Sequence, residues 1–126
     1  MLGDHPINPV LLATDLAASR AFYHDALGLT VLRETDATVM LKCGGSTHIE
    51  LSKSTVGTSD DQTQATWEVQ NLRGEVEQLR ARGVEPESYD FPGLKTEDGI
   101  ADLGSVWAAW ITDPGKNVLG IVQFKR

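Results

Sequence analysis

The sequence predicts an α+β protein that consists of two βαβββ modules, residues 5–53 and 63–126, within a single domain of 126 residues. Apolar residues recur at helical spacing in two stretches, Asp15 to Gly28 and Asn71 to Gly83. Each stretch opens with a residue type that caps helices and closes with glycine, which favours a helix end. Strand-like runs flank both stretches, so the second half of the chain repeats the design of the first.

The first module starts with a predicted strand over residues 7–13. Pro9 removes a backbone donor there, which indicates either an edge strand or a strand whose first residues are unpaired. The helix that follows presents one face to the core, formed by Leu16, Ser19, Phe22, Tyr23, Ala26 and Leu27. Three more strands are predicted from Val, Leu and Thr content and from turn residues between them, over residues 29–35, 37–43 and 47–52.

The second module follows a polar connection over residues 53–63. A strand over residues 64–70 alternates, with Trp67 on the apolar face that we expect to pack against the helix. After the helix we expect a strand over residues 84–89, weakened by Pro86, and a long loop over residues 91–104. Two final strands are predicted on either side of a turn, and the three segments cover residues 105–112, 113–117 and 118–124.

Composition narrows the classes of partner. The formal net charge is −7 and Lys and Arg are scattered, so neither nucleic acid nor an anionic membrane surface is expected as a partner. Cys43 is the only cysteine, so no internal disulfide can form, and a structural thiol is expected there. No apolar stretch is long enough for a membrane span and no signal peptide is recognised, which favours a cytoplasmic protein.

Several motifs resemble those of the vicinal oxygen chelate superfamily, which includes glyoxalase I, extradiol dioxygenases and bleomycin-resistance proteins. They are Thr-Asp-Leu-Ala-Ala-Ser-Arg-Ala-Phe-Tyr followed by Gly-Leu, the Asn-Leu opening and Ala-Arg-Gly-Val ending of the second helix, and the turn Asp-Pro-Gly-Lys-Asn. The resemblance implies a curled, eight-stranded mixed sheet around a cavity, with the helices outside. It also implies a homodimer with sites near the subunit interface.

The resemblance implies four inward-facing metal ligands in catalytic members, two His and two Glu. Counting from the motifs places these four positions at Asn8, Glu50, Gln64 and Gly120. Only Glu50 is a strong ligand for the transition metals of this chemistry, so no metal cofactor is expected. A weaker alternative is an ion held by His48 and Glu50, which share one face of a strand.

The leading hypothesis is therefore a metal-independent protein that binds a small organic molecule. The candidate ligand-binding residues are Asn8, His48, Glu50, Gln64, Trp107 and Trp110. Trp107 and Trp110 have opposite parity in a strand, so one of them faces the cavity and can stack on a planar ligand or a cation.

The alternative is an enzyme, either a glyoxalase-like lyase or isomerase or a dioxygenase, with altered ligands. Glu50 is then the candidate catalytic residue, as a general base or, with His48, as a metal ligand. A third hypothesis is a protein whose fold serves only as an interface with a partner.

Overall fold

A computed structural model of residues 1–126 contains two helices and ten strands: the first module has the predicted βαβββ order, and the second has five strands after its helix. Helix α1 covers Leu16–Ala21 and continues as a π-helical turn over Phe22–Ala26, and helix α2 covers Leu72–Ala81. The strands are β1 Val10–Ala13, β2 Thr30–Glu34, β3 Thr38–Lys42, β4 His48–Lys53, β5 Thr63–Glu68, β6 Asp90–Phe91, β7 Leu94–Glu97, β8 Ile100–Asp102, β9 Val106–Thr112 and β10 Val118–Phe124.

Both helices begin at the predicted capping residues. The Asp15 carboxylate accepts a hydrogen bond from the Ala18 backbone N–H at 3.0 Å. The Asn71 side chain accepts one from the Gly74 N–H at 3.1 Å. These bonds satisfy backbone donors that have no partner inside the helix. Gly28 and Gly83 adopt φ angles of 80° and 83°, the left-handed conformation that the sequence predicts after each helix.

The strands form two mixed sheets, with the orders β1-β4-β3-β2 and β5-β10-β9-β8-β7-β6. The β1–β4 and β5–β10 pairs are parallel, and all other pairs are antiparallel. The α+β class and the two modules are confirmed. The strands do not join into one eight-stranded sheet, however, since each module keeps its own hydrogen-bonded sheet and the curl does not close.

Two predictions for the second module are wrong. Residues 84–89 form no strand, because Pro86 has no N–H to donate and the segment makes one backbone hydrogen bond to β9, from the Glu87 N–H to the Trp110 carbonyl at 2.7 Å. The predicted loop over 91–104 contains β7, β8 and part of β6, which form hairpins. Gly93 and Gly99, which suggested a loop, instead supply the left-handed turns between these short strands.

The helices cover one face of each sheet. Helix α1 contacts β3 and β4, and helix α2 contacts β9 and β10. The buried apolar side chains of both modules form one continuous cluster on this side. Along each strand, every second side chain points to the opposite face of the sheet, which no helix covers. These helix-free faces offer surface for a ligand. Neither helix has the length and apolar character that a membrane span requires.

A buried polar network joins the two modules. The Tyr23 hydroxyl of the first module donates to Asp113 Oδ2 of the second at 2.6 Å. The Asn117 side-chain amide donates to the same oxygen at 2.8 Å and to the Leu12 carbonyl at 2.9 Å. Thr58 Oγ1 donates to Asn117 Oδ1. The turn between β9 and β10 is thereby fixed to β1 and α1.

We expect this network to make stability sensitive to alkaline pH. Burial, and then the negative charge of Asp113, raise the pKa of Tyr23 above its ordinary value of 10.0. Above about pH 10 the unfolded chain releases the Tyr23 proton while the folded chain retains it, so the free energy of unfolding falls as pH rises. The slope from this one group approaches about 1.4 kcal/mol per pH unit.

Urea denaturation of wild type and Tyr23→Phe between pH 8 and 11.5 measures this slope. The variant is expected to be less stable at pH 8 and to lose less stability above pH 10. An identical slope in the two proteins would contradict the assignment.

Candidate functional site

The largest described cavity lies on the helix-free side of the second module. We call it the aromatic groove, and it has a volume of about 1000 Å³. Its lining residues come from the connection between the modules, the segment before β6, the turn before β10, and strands β5, β6, β7, β9 and β10. They are Thr58, Ser59, Asp61, Gln62, Thr63, Glu87, Tyr89, Phe91, Leu94, Trp110, Thr112, Lys116 and Val118. Five of these 13 residues are hydrophobic and supply an apolar wall, and the polar side chains around it can orient a small molecule.

Three aromatic rings form the wall of the groove. The centroids of Tyr89 and Trp110 lie 5.5 Å apart with an interplanar angle of 80°. Tyr89 and Phe91 lie 6.0 Å apart at 72°. Both pairs have edge-to-face geometry, which aromatic rings favour. Phe91 is 53% exposed, so part of this wall is open to solvent and free to contact a ligand.

Local sequence explains why this wall forms. Ala109 and Ile111 face the helix side and are buried, so the pleat of β9 directs Trp110 to the opposite face. Tyr89 is held by Thr96, whose hydroxyl accepts from the Tyr89 N–H at 2.9 Å and whose N–H donates to the Tyr89 carbonyl at 2.9 Å. The wall therefore rests on β9 and on the β6–β7 hairpin, which is joined to β9 through β8.

The groove carries negative charge. Asp61 and Glu87 line it, and neither carboxylate forms an ion pair. Glu87 Oε1 accepts a hydrogen bond from Thr112 Oγ1 at 2.9 Å. Burial raises the pKa of Tyr89, and the charges of Glu87 and Asp61 raise it further. Both carboxylates therefore act on the aromatic wall, and this field favours a cation there.

One cation borders the same groove. Lys116 lies in the turn before β10 with a φ of 68°, a left-handed conformation that is uncommon outside glycine. It forms no ion pair with Asp61 or Glu87. The lining thus carries two carboxylates against one ammonium group, a net negative balance.

The structure separates the two candidate tryptophans as their parity predicts. Trp110 lines the aromatic groove, opposite Gly120 in the β9–β10 ladder. Trp107 lies on the helix side, where the Lys125 ammonium sits 4.9 Å from its ring centroid and Leu72 borders the same surface depression. Only Trp110 therefore reaches the groove.

The other candidate residues lie away from the groove. Glu50 is opposite Val10 and Met40 on the helix-free face of the four-stranded sheet, with His48 two residues before it on the same face. Asn8 precedes β1, and the following Pro9 carbonyl accepts from the Glu50 N–H at 3.0 Å. Asn8, His48 and Glu50 are half-buried and do not line the aromatic groove. Their role in ligand binding stays a prediction.

Gln64 and Gly120 occupy the positions counted from the second module. Residues 63 and 65 pair with consecutive residues of β10, so Gln64 is the extra residue of a bulge. It is exposed, and its side-chain amide donates to the Gln62 carbonyl at 2.8 Å. At Gly120, a Cβ atom would lie 3.1 Å from Thr66 Oγ1 and 3.2 Å from Thr63 Cγ2. Two threonines therefore occupy the space that a larger residue at 120 would need.

The residues present do not fit the metal site that the resemblance implies. No group of three or more His, Cys, Asp and Glu side chains converges anywhere in the chain. His48 and Glu50 share a face, but no third strong ligand joins them. Cys43 is half-buried, and burial raises the pKa of its thiol while a hydrogen bond from Trp67 acts in the opposite sense. The thiol is thus held in its protonated form, as expected for a structural cysteine.

Sequence reasoning missed most of the groove. The sequence predicts Tyr89 and Glu87 in a strand, Asp61 in a connection and Lys116 in a turn. The available signal was the cluster of Tyr89 and Phe91 shortly before a glycine-rich segment, because aromatic residues beside turns often mark a binding surface.

The family model described as Glyoxalase/Bleomycin resistance protein/Dioxygenase superfamily matches residues 5–120. The chain therefore belongs to this superfamily, which confirms the resemblance seen in its motifs. No curated protein sequence matches the chain significantly.

Solved structures agree with this fold. The chain is similar to a glyoxalase/bleomycin resistance protein/dioxygenase from Alicyclobacillus acidocaldarius, with TM-score 0.74, 14% identity, and 98% and 93% of the two chains covered. Lactoylglutathione lyase from Agrobacterium tumefaciens gives TM-score 0.64, 20% identity, and 94% and 92% coverage. TnmS3, an antibiotic binding protein from Streptomyces sp. CB03234, gives TM-score 0.65, 16% identity, and 96% and 95% coverage. At these identities the similarity establishes the fold alone.

Proposed function

We propose that this protein binds a planar, positively charged organic molecule in the aromatic groove, without a metal ion. The observation that carries the proposal is the Trp110–Tyr89 wall beside the unpaired carboxylates of Asp61 and Glu87. A flat ring can stack on the wall, while its positive charge lies in the field of the two carboxylates. The groove volume of about 1000 Å³ admits a drug-sized ligand.

Family membership supports a small-molecule function. The superfamily includes bleomycin-resistance proteins, and one structural neighbour is an antibiotic binding protein. A protein that sequesters a small molecule needs affinity for it but no catalytic group. A groove in which no set of metal-binding side chains converges suits this role. A metal-dependent enzyme would need a third strong ligand beside His48 and Glu50, and no such group converges with them.

Titration with proflavine, a planar three-ring cation, tests this proposal by its change in fluorescence. Wild type is expected to bind proflavine more tightly than anthracene-2-carboxylate, an anion of similar shape. Trp110→Ala should weaken proflavine binding about tenfold, because the stacking surface is removed. Asp61→Asn combined with Glu87→Gln should weaken it about fivefold, and the loss should shrink at high salt.

Phe124→Ala is the matched control. Phe124 is an aromatic residue on β10, 44% exposed, that does not line the aromatic groove. This variant should keep wild-type affinity for proflavine. Equal losses in Trp110→Ala and Phe124→Ala, or equal affinity for the cation and the anion, would refute the proposal.

We further propose a homodimer in which the helix-free face of the four-stranded sheet covers the partner's groove. Val10 is 54% exposed and Leu12 36% exposed on that face, beside Glu50. Such pairing would bury these apolar groups and bring Glu50, His48 and Asn8 to the site. Sedimentation velocity should give a dimer for wild type and a monomer for Val10→Asp. A monomer at all wild-type concentrations would contradict the dimer.

A further inference from the structure

A second cavity lies on the other side of the second module, where the two modules meet. We call it the inter-module cleft, and it has a volume of about 250 Å³. Leu27 and Leu29 of the first module form one side, and Trp67 and Val69 of β5 and Leu79 of α2 form the other. None of these residues lines the aromatic groove. The cleft is therefore a separate concave surface.

The cleft is apolar at its base and partly open. Ile111 and Ile121 form the floor and are 1% and 5% exposed. Leu27, Trp67 and Val69 are only partly buried and pack against the core. These side chains leave apolar surface in contact with water, and a ligand that covers it gains the free energy of apolar burial. Apolar cavities of about 150 Å³ bind benzene, so this cleft has room for one ring with a short chain.

The rim of the cleft carries negative charge. Glu75, in the first turns of α2, lines the cleft and forms no ion pair. Glu68 also borders it, but its carboxylate lies 3.6 Å from Arg126. Arg82 donates to the Ala26 carbonyl at 3.4 Å and does not line the cleft. Glu75 is thus the charge available to a ligand whose ring lies on the apolar floor.

We propose that the inter-module cleft binds a small arylalkylamine, with its ring between Leu29, Trp67 and Leu79 and its ammonium group beside Glu75. The amine contacts both modules at once. Because it binds only the folded arrangement of the modules, it stabilises the whole chain against unfolding. This site does not depend on the function proposed for the aromatic groove.

The probe is 2-phenylethylamine, compared with 3-phenylpropionate, an acid of similar size. The readout is the indole N–H signals of the three tryptophans in a ¹H–¹⁵N spectrum, assigned with Trp67→Phe, Trp107→Phe and Trp110→Phe. The amine should shift the Trp67 signal with a Kd of about 1 mM or below. The acid should bind more weakly.

Variants locate the site. Glu75→Gln, at an exposed helix position, should weaken amine binding about fivefold. Val69→Trp should fill the cleft and abolish the shift, with folding checked by the rest of the spectrum. Trp110→Ala, which alters the other cavity, should leave the amine affinity unchanged.

Three results would overturn the proposal. The first is an amine-dependent shift of Trp110 alone, or the loss of amine binding in Trp110→Ala, since either places the amine in the aromatic groove. The second is equal affinity for the amine and the acid. The third is a Trp67 signal that moves with protein concentration and not with amine, because a second copy of the chain then covers the cleft.

Discussion

Gly115→Ala is expected to lower the free energy of unfolding by about 3 kcal/mol, the upper range of overpacking in a well-packed interior. A Cβ atom on Gly115 would overlap the Leu12 carbonyl oxygen, which belongs to the rigid β1 backbone. The Gly115 carbonyl also accepts from the Thr58 N–H at 3.0 Å, so the turn is fixed from both sides. Neither backbone can move without breaking the junction between the modules.

Urea denaturation at pH 7 measures this loss through the midpoint, with an unchanged slope. Gly44→Ala is the matched control, because a Cβ there meets nothing within 4 Å and its φ is not left-handed. The control should stay within about 0.5 kcal/mol of wild type. A Gly115→Ala variant as stable as Gly44→Ala would mean that the turn does not press on β1.

Asp113→Ala is expected to cost about 4 kcal/mol, the largest loss of any single substitution considered. The carboxylate accepts from the Tyr23 hydroxyl, the Asn117 N–H and the Asn117 side-chain amide. It is only 5% exposed, so water cannot replace it easily. Each buried donor left without an acceptor costs about 1–3 kcal/mol.

A series of substitutions distinguishes the loss of this hydrogen-bond network from the general effect of removing a negative charge. Asp113→Asn keeps one acceptor oxygen and should fall between wild type and Asp113→Ala. Asp36→Ala removes an exposed carboxylate from the β2–β3 turn and should change stability by less than about 0.5 kcal/mol. Denaturation of the three variants by urea checks the order. Similar losses for Asp113→Ala and Asp36→Ala would show that the network contributes nothing.

Local signals in the sequence were sufficient for most of the fold. Asp15 and Asn71 cap helices through their own side chains, and Gly28 and Gly83 end them through left-handed φ angles, so each feature depends on neighbours within a few residues. Glycine is typical of both hairpin turns and loops, so the glycines within residues 91–104 did not distinguish between the two. The short strands between them were therefore missed.

Contacts between distant residues could not be predicted in the same way. Tyr23 and Asp113 are 90 positions apart, and nothing local identifies them as partners. Alternation along the strand predicted that Trp107 and Trp110 face opposite sides of the sheet. Only the packing of α2 on β9 decides which of the two faces the helix. The bulge at Gln64 also shifts the register, so counting along the chain did not locate its side chain.

In the turn before β10, the left-handed conformation and the close backbone contact fall on two neighbouring residues. In the turn Asp-Pro-Gly-Lys-Asn, glycine is the residue type that most readily adopts a left-handed conformation. In the structure Lys116 adopts the left-handed φ of 68°, and Gly115 is required because it lies against the Leu12 carbonyl. The glycine is thus explained by close packing. The same turn directs Lys116 to the rim of the aromatic groove.

The proposed binding of a planar cation in the aromatic groove needs no metal ion. Its most direct test is calorimetric titration of proflavine into chelator-treated protein, repeated after addition of Ni²⁺, Fe²⁺, Mn²⁺ or Zn²⁺. Metal-independent binding predicts the same Kd in every case, and about tenfold weaker binding in Trp110→Ala with or without metal. Proflavine binding that appears only with one of these metals, or that survives unchanged in Trp110→Ala, would contradict it.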